Sequence, residues 1–285
     1  MATTSPYTQL LESDILEAIN HLNEIKLRKA NTNYHTHTFR CKHASGTASD
    51  YAKIAVEKKF TILGISDHSA LPDNRWQNIR MPIEDLQNYS DEIDEASATY
   101  PQMKILKGME CEYALEYTQF YIDELLGKYR FDYLIGGAHF FPVQNEWMGC
   151  YSADNTKANL FAYTDYIIDS IESKLFAFIA HPDLFGNFYL KWDKETISCS
   201  RAILEAAAGA QVPLEINGYG YRKEMILTDD GFRKRYPLDN FWELAENYEI
   251  SVIINSDAHK PEDIDKFGDA FGLVEKHALK VITEF

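Results

Sequence analysis

Seven of the nine histidines lie in short polar motifs, and each motif follows a run of residues with strand-like character. In chain order the motifs are His35-Thr-His37, Cys41-Lys-His43, Asp67-His68, Ala138-His139, Ala180-His181-Pro-Asp183 and Asp257-Ala-His259. Two further carboxylates lie between them, in Gly108-Met-Glu110-Cys-Glu112. Neutral imidazoles and carboxylates are the usual ligands of catalytic transition metals. The residue types and their placement therefore predict metal chemistry.

The bulk composition is typical of one globular enzyme domain. The chain has 285 residues, 45% of them hydrophobic, and α/β barrels of this size commonly form a single domain. Its net charge of −16 argues against a nucleic-acid partner, because binding to phosphate backbones depends on Lys and Arg. We expect a single domain over residues 1–285.

The cysteines and the hydropathy pattern indicate the compartment. The four cysteines form no CxxC pair, which favours reduced thiols: Cys41, Cys111, Cys150 and Cys199. Cys41 and Cys111 lie near the predicted ligands, where a packed thiol is favoured over a metal ligand. Neither a secretory signal nor an apolar run of membrane-spanning length is visible. These features predict a cytoplasmic protein without a membrane partner, and they leave its oligomeric state open.

The elements that must position the motifs alternate along the chain. An amphipathic helix over 13–29, containing His21, is predicted as an N-terminal extension covering residues 1–30. Strands are then predicted at 32–35, 61–66, 104–108, 132–136, 177–180, 213–216 and 250–255. Helices are predicted at 47–58, 83–99, 118–129, 156–173, 197–209, 238–248 and 262–278, the last with His277 as a solvated side chain.

The position of the motifs at nearly every strand end decides between two α/β architectures. An open doubly wound sheet would concentrate its site at one switch point between strands. Ligands from almost every strand instead require the strand ends to converge on an axis, which is the geometry of a closed barrel. We therefore predict a distorted seven-stranded, TIM-like (β/α)7 barrel with a metal site at the C-terminal ends of its strands.

The order of these motifs resembles the PHP family, named for polymerase and histidinol phosphatase, from about Asn33 to Lys260. Several segments resemble the histidinol-phosphatase branch: Asn33-Tyr-His-Thr-His-Thr, Phe131-Asp-Tyr-Leu-Ile-Gly-Gly-Ala-His139, Ala180-His-Pro-Asp-Leu184, Glu215-Ile-Asn217 with Arg222-Lys223, and Asn255-Ser-Asp-Ala-His-Lys-Pro261. Two positions depart from it. Asp67 stands before His68 where that branch often has Glu, and the loop Asn217-Gly-Tyr-Gly-Tyr-Arg222 replaces a loop of small residues.

The resemblance implies three divalent metal ions, Zn, Fe or Mn, that share nine ligands. The first site would contain His35, His37, Glu110 and Asp257; the second Glu110, His139 and His181; the third His43, His68 and His259. The chemistry of the residues agrees with a bridging carboxylate, which holds two cations about 3.5–4 Å apart. Asp257 and His259 are two residues apart, so both side chains can reach the barrel mouth.

Other polar residues at the strand ends are predicted to act on the substrate or on the ligands. Arg222 is a candidate to grip phosphate bidentately, although a surface arginine is an equal alternative. Glu112 and Asn217 are candidate substrate contacts, and for Glu112 a plain salt bridge is the alternative. Asp67 and Asp183 are predicted to orient ligands or carry protons. The proton donor to the leaving group stays open between Asp183, a metal-bound water and a histidine.

The resemblance implies a phosphomonoesterase that hydrolyses L-histidinol phosphate in histidine biosynthesis, with a metal-bridging hydroxide as nucleophile. The same metal core would serve another small phosphoester, such as phosphotyrosine or a nucleotide phosphate. An amidohydrolase barrel also begins with His-x-His, but it needs a bridging residue after strand four and leaves Cys-x-His and Asp-x-His without a role. A PHP domain kept only for structure or interaction usually lacks some ligands, and here the set is complete.

Overall fold

The computed structural model describes residues 31–144, 146–229 and 231–285. The predicted extension over 1–30, with its helix at 13–29, lies outside these ranges. The strands of the described chain are β1 Thr32–Asn33, β2 Ile62–Ile65, β3 Lys104–Glu112, β4 Tyr133–Gly137, β5 Phe140–Val143, β6 Glu146–Gly149, β7 Phe178–Ile179, β8 Leu214–Asn217, β9 Ile226–Thr228, β10 Gly231–Arg233, β11 Ser251–Asn255 and β12 Lys280–Val281.

Helices follow most strands of the main sheet. They are α1 Ala48–Glu57, α2 Leu86–Thr99, α3 Thr118–Phe120, which continues as a π-helix over Tyr121–Lys128, α4 Lys157–Glu172, α5 Lys194–Ala210, α6 Gly218–Arg222, α7 Asp239–Ala245 and α8 Ala270–Lys276. Short 3-10 turns lie at Phe39–Cys41, Ile83–Asp85, Leu115–Tyr117, Leu184–Asn187 and Pro261–Asp263. Two helices begin with reciprocal capping boxes, Thr47 with Asp50 and Asp193 with Thr196.

The main sheet is parallel and curls into a barrel. Its strand order is β1-β2-β3-β4-β7-β8-β11-β12 in the described chain. A parallel bridge between Thr36 and Ala258 joins the chain just beyond β1 to the chain just beyond β11. The His37 amide donates to the Ala258 carbonyl at 2.8 Å across this junction. The ends of the first and seventh strands of the sheet are thereby brought side by side.

The barrel interior is filled by side chains rather than open. Tyr133 crosses it and donates its hydroxyl to the Tyr34 carbonyl. Gly64 and Gly108 make room for this ring, since a Cβ on Gly64 would lie 1.9 Å from the Tyr133 hydroxyl oxygen. The ring belongs to a cluster of buried residues on and beside the strands: Tyr34, Ile62, Tyr133, Ile135, Phe178, Ala180 and Ile253. The larger apolar core lies between the sheet and the helices.

The predicted barrel-like parallel sheet is confirmed, with one more strand than expected. The seven predicted strands are present, and the short strand β12 adds an eighth beside β11. Two antiparallel hairpins, β5–β6 and β9–β10, were not predicted. Their strands have only three or four residues, too few for alternation to separate them from loops.

Three further predictions concern single residues or segments. The prediction that His277 is solvated is wrong: it is 3% exposed, and its ring nitrogens contact Glu246 and Asp239. All four cysteines are buried and free, in agreement with reduced thiols. None of the helices in the described ranges is long and apolar enough to cross a membrane.

Candidate metal centre and substrate cavity

The ends of the parallel strands bring the predicted ligands together. Sets of three possible ligand atoms lie within 4.8 Å of one another at the barrel mouth. Two of these sets contain all the residues of a predicted site, Glu110, His139 and His181 and then His43, His68 and His259. A third set, His35, His37 and Asp257, contains the residues predicted for the first site except Glu110. Two more sets, His37 with His68 and Glu110, and His37 with Cys41 and His259, link neighbouring groups.

Glu110 has the geometry of a bridging carboxylate. Its Oε1 lies 3.1 Å from Nε2 of His181 and 3.5 Å from Nε2 of His139. Its Oε2 lies 3.3 Å from Nε2 of His35 and 3.5 Å from Nε2 of His37. The same Oε2 also lies 3.0 Å from Nδ1 of His68. The two oxygens therefore face different sets of imidazoles, which is the arrangement a carboxylate needs to join two cations.

The tautomers of His43 and His259, two residues of the third predicted site, suit metal binding. Nδ1 of His43 lies 2.7 Å from the Cys41 carbonyl, and Nδ1 of His259 lies 3.1 Å from the Asp257 carbonyl. A carbonyl can only accept, so each Nδ1 carries the proton and each Nε2 keeps its lone pair for a metal. Burial raises the pKa of the nearby Cys41 thiol, which favours a packed thiol there.

Local backbone geometry aims the ligands at the mouth. His181 and Asp257 have positive φ angles of 31° and 49°, a left-handed conformation that residues with a Cβ rarely adopt. Such strain at strand ends is typical of functional sites. Gly137 leaves space for the Glu110 carboxylate, because a Cβ there would lie 2.8 Å from Oε1 of Glu110.

The polar atoms left without partners show that this site fits metal ions. Most buried side-chain nitrogens and oxygens find a hydrogen-bond partner. Several buried atoms in this cluster have none: His37 Nδ1, His68 Nδ1, Glu110 Oε2, His181 Nδ1 and Asp257 Oδ1. Imidazole nitrogens mixed with carboxylate oxygens form a donor set that zinc, iron and manganese all accept.

The pKa values of the buried histidines are shifted in opposite directions. Burial lowers the pKa of His68 and His259 well below the usual value, which keeps both imidazoles neutral. Burial also lowers the pKa of His37, but the neighbouring carboxylates of Asp257 and Asp67 outweigh it and raise that pKa to about 9. His37 is therefore protonated at neutral pH when no metal is bound.

This proton predicts that metal affinity rises with pH. A cation that binds His37 must displace its proton, so affinity is expected to increase about tenfold per proton and pH unit up to about pH 9. Above that pH the His37 imidazole is already neutral and its contribution levels off. Competition titrations with a chelating dye between about pH 6 and about pH 9 would measure the slope. A flat profile would contradict His37 as a ligand.

Buried carboxylates hold the ligand histidines from behind. Glu215 accepts from Nδ1 of His35 at 2.8 Å, and Oδ1 of Asp67 lies 3.5 Å from Nδ1 of His37. Glu112 accepts from Nδ1 of His139 at 3.0 Å. Hydrogen bonds such as those of Glu215 and Glu112 fix the ring orientation and the tautomer of a metal ligand. An orienting role was predicted for Asp67, whereas no role was predicted for Glu215.

Two of the predicted substrate contacts point away from the mouth. Arg222 donates to the carbonyls of Ser256, Asp257 and Lys266, and it is not among the residues that line the cavity. Asn217 is fully buried, and its Nδ2 donates to Glu215 and to Asp257. The structure therefore gives both residues a supporting role, and the prediction that Arg222 grips phosphate does not match its position.

Glu112 and Asp183 also lie outside the cavity. Glu112 forms the salt bridge that was its alternative interpretation, with Arg80 at 2.8 Å. Asp183 accepts from the Leu238 amide and from Nε1 of Trp242. Burial raises the pKa of Asp183 to about 6. Its carboxylate anchors the chain around Leu238, so the structure does not bring it to a leaving group.

A cavity of about 350 Å³ opens directly over the metal ligands. Its wall beyond the ligands combines aromatic, small and cationic residues: Ile79, Phe140, Gly149, Tyr151, Ser152, Tyr219, Lys223 and Tyr236. Tyr219 stacks on His259 with ring centroids 4.5 Å apart, and Nζ of Lys223 lies 3.9 Å from the Tyr219 centroid. These wall residues were not predicted from the sequence, although the i, i+4 spacing of Tyr219 and Lys223 could have indicated a shared face.

The fold and the ligand cluster define a metal-binding barrel whose site lies at the C-terminal strand ends. Residues 33–218 match the model of the PHP domain. The chain belongs to the PHP domain family.

Relatives and a solved structure agree with this assignment. The chain is 28% identical over 260 residues to a probable histidinol-phosphatase of Deinococcus radiodurans, covering 87% of this chain and 94% of the relative. It is 23% identical to a probable histidinol-phosphatase of Schizosaccharomyces pombe, covering 81% of each chain. A histidinol phosphate phosphatase from Lactococcus lactis, solved with Zn, L-histidinol and phosphate, shares the fold with a TM-score of 0.65 at 17% identity, covering 88% of this chain and 95% of that one.

Proposed function

We propose that this protein is a metal-dependent phosphomonoesterase that hydrolyses L-histidinol phosphate to L-histidinol and inorganic phosphate. The observation that carries the proposal is Glu110, whose two oxygens face separate sets of imidazoles beneath the cavity. The relatives from Deinococcus radiodurans and Schizosaccharomyces pombe, both named probable histidinol-phosphatases, support the choice of substrate. A different small phosphoester is the alternative substrate.

Three divalent ions, Zn, Fe or Mn, would be held by nine residues: His35, His37, His43, His68, Glu110, His139, His181, Asp257 and His259. When bound, such ions make water acidic enough to act as a nucleophile near neutral pH and neutralise charge on phosphoryl oxygens. The protein presents imidazoles and ionised carboxylates to them, and the His37 imidazole must lose its proton when an ion binds. Ion pairs with histidines hold the pKa of Glu110 and Asp257 well below the usual value in spite of burial, which raises it.

The cavity wall would position the ester above these ligands. Lys223 replaces Arg222 as the cation facing the phosphate, because Lys223 lines the cavity and pairs with no carboxylate of the described chain. Phe140, Tyr151 and Tyr236 offer flat apolar surfaces against which an imidazole ring can stack. Asp183 lies outside the cavity, which leaves water or a histidine to protonate the leaving alkoxide.

The direct test is a turnover assay on histidinol phosphate before and after metal removal. Exhaustive chelation is expected to abolish activity, and added Zn²⁺, Mn²⁺ or Fe²⁺ is expected to restore it, because the nucleophile depends on bound cations. Elemental analysis of the same samples would give the metal content. A metal-free protein that keeps its activity would refute the proposal. A panel with phosphotyrosine and nucleotide monophosphates, compared by kcat/KM, would decide the substrate.

Replacing Lys223 with methionine is expected to raise KM about tenfold while kcat changes much less. A charge-assisted hydrogen bond to phosphate accounts for a loss of this size. Lys234→Met is the matched control, since Nζ of Lys234 donates to the Tyr221 carbonyl in the same region but does not line the cavity. Equal effects of the two substitutions, or an unchanged KM in Lys223→Met, would contradict the assignment.

Other aspects of the function stay proposals. A role in histidine biosynthesis would follow from the substrate, and the free cysteines are consistent with the cytoplasm. The absence of a nucleic-acid partner stays a prediction from the net charge of −16.

A further inference from the structure

Arg80 is a fully buried cation that contacts the ends of two ligand-bearing strands. It is 0% exposed, and it comes from the loop between β2 and α2. Its Nη1 donates to the Ser69 carbonyl at 3.0 Å, next to the ligand His68 beyond β2. Its Nη2 donates to Glu112 at 2.8 Å, at the end of β3.

Glu112 links Arg80 to the end of a third strand. Its Oε2 is held by Arg80, while its Oε1 accepts from Nδ1 of His139, just beyond β4. Nε2 of His139 then faces Oε1 of Glu110 at 3.5 Å. The carboxylate of Glu112 is 1% exposed, so it needs a buried counter-ion to remain charged without a large free-energy cost.

We propose that Arg80 is a positioning residue that acts through Glu112 to hold His139 as a ligand of the ion shared with Glu110 and His181. The inference rests on the proposed metal centre. A guanidinium that bonds one carboxylate oxygen fixes the direction of the other, which sets the orientation of the His139 ring. Arg80 also lies over Trp76, 5.1 Å from its ring centroid, and Trp76 stacks on Phe140 of the cavity wall. The same side chain thus supports a ligand and the wall beside it.

A double substitution separates this role from general support of the loop. Arg80→Met leaves Glu112 as an unpaired buried charge. The substitution is expected to lower the affinity for one zinc ion by roughly 10–100-fold. In Arg80→Met with Glu112→Gln, the neutral amide oxygen can still accept from His139 without a counter-ion. That double variant is therefore expected to bind zinc more tightly than Arg80→Met alone. If Arg80 only supported the loop, the double variant would bind zinc no more tightly than Arg80→Met.

The measurement is the zinc stoichiometry and the affinity of each ion, from elemental analysis and competition with a chelating dye. Arg75→Met is the matched control, because Arg75 lies over the same Trp76 ring but pairs with Asp73 and Glu116. It is expected to keep the wild-type stoichiometry.

Two results would overturn the inference while leaving the metal centre intact. One is unchanged zinc binding in Arg80→Met, and the other is a double variant as weak as Arg80→Met. If Arg80→Met does not fold, the double variant alone tests the inference. Its zinc affinity must then lie within about tenfold of the wild-type affinity. A wild-type chain that binds no zinc would overturn the proposed function together with this inference.

Discussion

Replacing Glu110 with glutamine is expected to lower kcat by at least about a hundredfold and to reduce the metal content by more than one ion. One Glu110 oxygen faces His139 and His181, and the other faces His35, His37 and His68, the last at 3.0 Å. Glutamine has nearly the same shape but presents an uncharged NH₂ group on one side. It can therefore bind one cation at most, so the side chain no longer bridges two ions.

The matched control is Glu116→Gln, which makes the same chemical change on an exposed residue close in the chain. It is expected to keep the wild-type kcat and metal content. Elemental analysis and steady-state kinetics on the same preparations would check both variants. Full metal content and turnover in Glu110→Gln would refute the bridge, and loss of a single ion would place Glu110 in one site only.

The convergence of the predicted ligands on one rim was predictable from the sequence because it depends on regular geometry, whereas their grouping into three sites was implied by the resemblance to the PHP family. Residues two apart on a strand share a face, so His35 and His37 had to point the same way. Parallel strands of a barrel end on one rim, so motifs far apart in sequence, such as those of His68 and His181, had to meet. The structure brings all the predicted ligand residues into neighbouring sets.

The cavity wall and the supporting residues depend on irregular segments, where sequence patterns carry little geometric information. Arg222 and Lys223 are neighbours, yet the short helix α6 turns Lys223 into the cavity and Arg222 toward backbone carbonyls. The cap formed by Asn217, whose Oδ1 accepts from the Tyr219 and Gly220 amides, sets this turn. Arg80 lies in a loop with no periodicity, and only the fold shows its partner.

The burial of His277 could not be predicted from the sequence pattern of its helix either. Its place in the last predicted helix favoured a solvated side chain. The ring is instead held between α7 and α8 by contacts with Asp239 and Glu246. Packing between two helices decides its burial, and the pattern within one helix does not report that packing.

Glu215 sits at the centre of the strand ends, and its loss is expected to have the largest effect on stability. Its carboxylate accepts four hydrogen bonds from buried donors. Oε1 accepts from Nδ1 of His35 at 2.8 Å and from Nδ2 of Asn255 at 3.0 Å. Oε2 accepts from the His181 amide at 3.1 Å and from Nδ2 of Asn217 at 2.8 Å. Every partner is a donor, so only a group with two acceptor oxygens satisfies them all.

Glu215→Gln is therefore expected to lower the free energy of unfolding by about 3–5 kcal/mol, because its NH₂ group would face two donors and leave them unpaired. Urea unfolding of chelator-treated protein would measure this loss apart from metal binding. Glu249→Gln, on an exposed residue just before β11, is the matched control and is expected to change stability by less than about 0.5 kcal/mol. Equal unfolding free energies for the two variants would contradict the role of Glu215. In metal-loaded protein the difference is expected to widen, because Glu215 orients His35 for its metal and a bound ion stabilises only the folded state.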